Sequence, residues 1–163
     1  MILPFRRRRR APYAKRVLVP FTGGELDPTV LNASIRIARA EEATLVPAYL
    51  IVTPLEFALD APMHQQVVVA MPLLEAVENA ALKAGVPVDA RIESGRTPIH
   101  ALQRLWDVER FDRIVVPAPP AGEPGFAPRD LLWILTHAPS ETVILRPQPD
   151  GAAAEEPAGA LAL

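Results

Sequence analysis

The sequence predicts an α/β domain: a three-layer, doubly wound sheet of five parallel strands with helices on both faces. Three observations carry this. Between Lys15 and Pro147, short β-branched apolar runs alternate with longer segments whose apolar residues recur at helical spacing. The first of the strand-like runs, Arg16 to Phe21, is brief, β-branched and apolar, as a parallel strand buried on both faces is. A chain of 163 residues, half of them hydrophobic, suits one compact domain with a core that needs no cross-links.

The elements follow in order. Arg16-Val-Leu-Val-Pro-Phe21 reads as the first strand, with Thr22-Gly23-Gly24 as the turn after it. Asp27 offers an N-cap and Pro28 the first helical position, and Val30, Ala33, Ile37 and Ala38 share one helical face. Ala43 to Val52 reads as the second strand, in which Pro47 predicts a bulge or a break. A long connection containing Pro54 and Pro62 leads to a helix from about His64 to Ala84, striped by Met71, Leu74, Val77 and Ala81 and stopped by Gly85. Val86 to Ile92 alternates apolar and polar residues and reads as the third strand.

Thr97 and Pro98 open the next helix, made amphipathic by Ile99, Leu102, Leu105 and Trp106. Arg113 to Val116 is the fourth strand, and Pro117 to Pro128 a proline-rich loop. Leu131, Ile134, Leu135 and Ala138 mark a short helix, and Thr142 to Leu145 the fifth strand. The domain is thus expected over residues 15–147, between a basic flexible arm (1–14) and a tail (148–163) whose Ala, Pro and Gly content predicts disorder. No internal repeat is visible.

Composition excludes several classes. There is no cysteine, hence no disulfide framework, thiolate zinc site, iron–sulfur cluster or cysteine nucleophile. No apolar run approaches the roughly 20 residues that span a bilayer. The start of the chain lacks the apolar stretch of a secretory signal, so a soluble, cytoplasmic protein is expected. Residues 1–16 carry seven basic groups (Arg6 to Arg10, Lys15, Arg16) and no acidic ones, whereas the remaining 147 carry ten basic and nineteen acidic. A basic arm on an acidic body results. The 19 prolines are roughly 12% of the chain, against about 5% in an average protein.

The order of motifs resembles that of the universal stress protein (UspA) family over about residues 15 to 146. Arg16-Val-Leu-Val-Pro-Phe-Thr-Gly resembles the family's opening strand and first loop. Gly95-Arg-Thr-Pro-Ile-His-Ala-Leu, continuing to Phe111-Asp-Arg-Ile-Val-Val116, resembles its third crossover and fourth strand. His137-Ala-Pro139 and Val143-Ile-Leu145 resemble its closing helix and strand. The resemblance implies an adenine-nucleotide α-hydrolase-like fold with strand order 3-2-1-4-5 and a homodimer formed through the last strand. It also implies an ATP site built on Gly-x-x-Gly, nine residues, then Gly-Ser/Thr, between the fourth strand and the last helix, with an Asp ending the first strand.

This chain departs from that motif. The Asp position is Thr22; the first two glycines become Pro117 and Pro120; the Gly-Ser pair becomes Pro128-Arg129. Gly122 and Gly125 keep the Gly-x-x-Gly spacing, but the position ten beyond Gly125 is Leu135, inside the expected helix. A phosphate cradle needs free backbone N–H groups in conformations that glycine permits and proline forbids. Five of the twelve residues from Pro117 to Pro128 are proline, and Glu123 and Asp130 add negative charge. Should a nucleotide bind, Thr22, Gly23, Gly122, Gly125 and Arg129 are the residues to hold it.

Other motifs were weighed against plain structural roles. Gly95-Arg96-Thr97 suits either an anion at a helix start or a capped turn. His64, His100 and His137 lie far apart and read as surface or cap groups. Ser94 precedes Gly95, but the Gly-x-Ser-x-Gly elbow of a hydrolase is absent, as are a Walker loop and Gly-x-Gly-x-x-Gly. The run Arg6 to Arg10 suits electrostatic binding of nucleic acid or an anionic membrane, or contact with the acidic body of its own dimer. The expected function is a noncatalytic, dimeric regulatory or interaction module with a degenerate nucleotide site. The alternatives are an ATP-binding stress sensor with a rearranged loop and arm-mediated binding of nucleic acid or membrane.

Overall fold

Residues 15–147 are described by a computed structural model; the arm and tail expected at 1–14 and 148–163 lie outside the described residues. The elements run β1 (Arg16–Phe21), α1 (Pro28–Ala40), β2 (Thr44–Val52), α2 (His64–Lys83), β3 (Arg91–Gly95), α3 (Pro98–Val108), β4 (Arg113–Pro117), α4 (Pro128–His137) and β5 (Glu141–Leu145). All five strands are parallel, in the order β3-β2-β1-β4-β5. Side chains alternate across the sheet. Val17, Val19 and Phe21 join a core under α1 and α2, while Leu18 joins the core under α3 and α4. The three layers follow from that alternation, because the central strands β1, β2 and β4 are apolar on both faces.

Local chemistry starts and stops the helices largely as expected. Asp27 accepts the Thr29 N–H at 2.7 Å and Pro28 takes the first turn of α1. Thr97 accepts the His100 N–H at 3.0 Å at the start of α3. Two stripes shift. In α1 the buried residues are Val30, Ser34, Ile35 and Ala38, with Ala33 and Ile37 half-buried. Ser34 tolerates burial because its hydroxyl donates to the Val30 carbonyl at 2.7 Å. In α2, Ala70 rather than Met71 completes the buried face, and the helix runs through Pro72, whose missing bond lies on the solvent side.

Pro47 neither bulges nor breaks β2, which pairs with β1 in unbroken register through Val19↔Pro47. The reason is the side its missing N–H faces. Leu45 donates to the Pro87 carbonyl and accepts from the Asp89 N–H, so alternation turns Pro47 toward the same neighbour, β3. That side is where the ladder lapses: Val88 makes only an isolated bridge to Leu45, and continuous pairing begins at Ala48↔Arg91. The third strand therefore starts at Arg91, not Val86, and runs on to Gly95.

Arg16, counted above with the basic arm, is a core residue. Its side chain is 2% exposed, ion-paired to Asp89 at 2.6 Å and to Glu109. Arg91 joins the same two carboxylates at 3.2 and 3.0 Å. The Arg16 guanidinium also lies 4.9 Å from the Phe111 ring centre, and its backbone N–H donates to Asp112 at 2.7 Å. Burial alone would push the Glu109 carboxyl up, but the Arg16 hydrogen bond and the charges of Arg91 and Arg16 outweigh it and hold it below the usual carboxylate range. No helix among the described residues is long and apolar enough to cross a membrane.

Candidate functional site

The strand order reverses direction between β1 and β4, and open α/β sheets bind ligands beyond the carboxyl ends of strands at such a point. Here the seam between the two strands is unlaced. Their register stops at Leu18↔Ile114. The Arg16 carbonyl accepts the Asp112 N–H, which turns Arg16, Leu18 and Pro20 toward β4. The Ala118 N–H donates to the Leu145 carbonyl on β5, which turns Pro117 the other way, toward β1. Both residues that would continue the ladder are prolines without an N–H.

A cavity of about 250 Å³ opens over this seam. Phe21 and Phe126, each almost fully buried, form its aromatic wall. Pro28, Pro117, Pro119, Pro120, Pro124 and Pro147 supply half of the rest. Its charged lining residues are Glu25, Asp27 and Glu123. At the start of α4, Pro128 brings no N–H, and the Asp130 carboxylate accepts the Ala127 N–H at 2.9 Å. The helix end that could draw an anion thus carries a carboxylate of its own.

The expected site residues are only partly gathered here. Thr22 lines the cavity, and its hydroxyl donates to the Leu50 carbonyl at 2.9 Å. Gly125 lines it too, at φ 134°. Gly23, at φ 80°, lies beneath the proline loop: a Cβ there would sit 3.0 Å from Pro124 Cβ and 3.1 Å from the Gly125 nitrogen. Glycine at 23 is what lets the two loops close on each other. Gly122 stands outside the cavity lining, and the Arg129 side chain is 90% exposed, 4.0 Å from Asp130. Glu25, Phe126 and Pro147 were missed, as was the turning of Pro20 and Pro117 toward one seam. A proline inside a central strand was the available signal for the seam.

At Gly95-Arg96-Thr97 the geometry is that of a strapped turn. The Arg96 N–H donates to His100 Nδ1 at 3.0 Å, and its guanidinium Nη1 donates to the carbonyls of Pro54 (2.6 Å), Phe57 (2.8 Å) and Thr53 (3.3 Å). That guanidinium nitrogen is committed to the β2–α2 connection. His137 Nδ1 donates to the Trp133 carbonyl at 2.9 Å, its ring stacked 4.4 Å from the indole. Among the described residues, no group of three acidic or histidine side chains is placed to hold a metal ion.

No protein-family model matches the sequence, and no curated protein matches it. Solved structures do. A universal stress protein in complex with cAMP is 20% identical with a TM-score of 0.61, over 83% of this chain and 98% of its own. A universal stress protein family member from Arabidopsis thaliana with AMP bound is 17% identical with a TM-score of 0.59, over 86% and 97%. The universal stress protein of Archaeoglobus fulgidus in complex with dAMP is 11% identical with a TM-score of 0.59, over 81% and 97%. At these identities the likeness is one of architecture, and it agrees with the strand order and layers described above. The chain has the universal stress protein fold.

Proposed function

We propose that this chain is a noncatalytic universal-stress-protein-like module that acts through protein contacts as a homodimer, with a nucleotide site that no longer grips phosphate. The observation that carries the reading is the lining of the cavity over the β1–β4 seam. Six prolines offer no N–H there, and the charged groups are three carboxylates. A polyphosphate needs the opposite: clustered amide donors and cations. The residues present do not fit it, and Asp130 already holds the start of α4.

The sheet edge supports the dimer. Among the described residues β5 has β4 on one side only, and its Val143, Ile144 and Leu145 are half-buried. Nearby on the surface of α4, Leu132 and Leu135 are exposed by 66% and 58%. An uncovered apolar edge strand is a ready pairing site for a second chain. Light scattering over a range of concentrations should give twice the chain mass; a monomer throughout would remove the homodimer.

A second reading, an ATP-binding sensor with a rearranged loop, draws on the nucleotides bound in similar structures and on Gly125 at the cavity. Calorimetric titration with ATP and Mg²⁺ separates the two. The first reading expects no heat of binding at micromolar concentrations. Micromolar affinity, abolished by substitution at the loop, would establish the sensor instead.

A further inference from the structure

We propose that the cavity over the β1–β4 seam holds the cationic end of a ligand, a guanidinium or alkylammonium on an apolar stem, where this fold would otherwise hold a nucleotide. The inference rests on the reading that phosphate binding is lost here. Hydrogen-bond polarity carries it. The six proline walls bring no donor, and Thr22 commits its hydroxyl proton to Leu50. Glu25, Asp27 and Glu123 bring acceptors and charge, and among the described residues none of the three is paired with a cation. Asp27 spends one oxygen on the Thr29 N–H and keeps the other.

The rest of the lining suits the stem. The six prolines supply apolar surface for it, bordered by Phe21 and Phe126, each almost fully buried. A volume of about 250 Å³ is roughly that of eight waters at about 30 Å³ each, enough for a guanidinium and a short alkyl chain. Two sources supply that chemistry: a free small cation, or the five consecutive arginines Arg6 to Arg10 of the chain itself.

Amide NMR on the full chain tests this with agmatine as the cationic probe, 1,4-butanediol as its uncharged counterpart, and ATP. Agmatine should move the amides of Thr22, Gly23, Gly125 and Phe126, and butanediol should not. Glu25→Gln and Glu123→Gln, both at exposed positions, should each weaken agmatine about threefold, the size of an exposed ion pair. A full-length variant with Arg6 to Arg10 all replaced by glutamine identifies the source. Agmatine binding at least tenfold tighter in it marks the arm as the resident cation, and unchanged affinity marks a free one. The proposal fails if agmatine leaves those amides unmoved in both the natural chain and that variant, or if butanediol moves them equally. ATP moving them instead would overturn the loss of phosphate binding as well; silence from both ligands overturns the cation site alone.

Discussion

Replacing Arg16 by methionine tests whether the buried ion cluster at the amino edge of the sheet stabilises the fold. Methionine keeps an unbranched apolar stem against Phe111 and removes the charge. Breaking a fully buried ion pair costs about 3–5 kcal/mol. Here Arg91 remains within 3.2 Å of Asp89 and 3.0 Å of Glu109, and the two acids are 34% and 25% exposed, so water and Arg91 share the loss. A destabilisation of about 2 kcal/mol follows, or a drop in Tm of about 6 °C for a domain of this size.

The pH dependence gives a second, independent readout. Glu109 is held below its ordinary range in the fold. Its contribution is complete above the unfolded carboxylate value of about 4.3 and is lost as pH falls through the lower folded value. Without Arg16 that depression shrinks. The gap in Tm between natural and Arg16→Met proteins should therefore narrow as thermal unfolding, followed by circular dichroism, is repeated from about pH 7 down to about pH 3. An unchanged Tm at neutral pH, or a gap that stays constant into acid, would refute the reasoning.

Three further outcomes are expected. Gly95→Ala places a Cβ 2.3 Å from the Ala101 nitrogen and 2.7 Å from its Cα, so α3 must lift from β3; a loss of about 3 kcal/mol should appear as a lower urea midpoint. Gly23→Ala strains a backbone at φ 80° and crowds Pro124, lowering stability by about 1–2 kcal/mol and shifting the amides of the Pro119 to Phe126 loop. Arg96→Met frees the carbonyls of Thr53, Pro54 and Phe57; limited proteolysis should then cut near Phe57, while global stability falls by only about 1 kcal/mol.

The elements were largely legible in the sequence. Asp27 with Pro28 and Thr97 with Pro98 are start signals readable within a few residues, and each caps its helix in the structure. The proline loop from Pro117 to Pro128 was equally plain. The misreadings share a cause. Pro47 looked disruptive because a lone proline in a strand removes a ladder bond, but whether one existed to remove depended on where β3 joined. Arg16 looked like part of a basic run because charge was counted along the chain, while Asp89 and Glu109 arrive from other elements. Glu25, Phe126 and Pro147 meet only because three segments end at one cavity.

Periodicity, caps and turn residues act over one or two helical turns or a single strand, so the amino-acid order alone determined the five-strand, four-helix alternation and the two-sided burial of β1. It also determined that the loop after β4 is poor in amide donors, since proline lacks one in any conformation. Which neighbour each N–H or its absence faces, and which charges share a site, are set by register between strands distant in sequence. Only the assembled sheet turns Pro20 and Pro117 toward the same seam, and with them decides where the cavity opens.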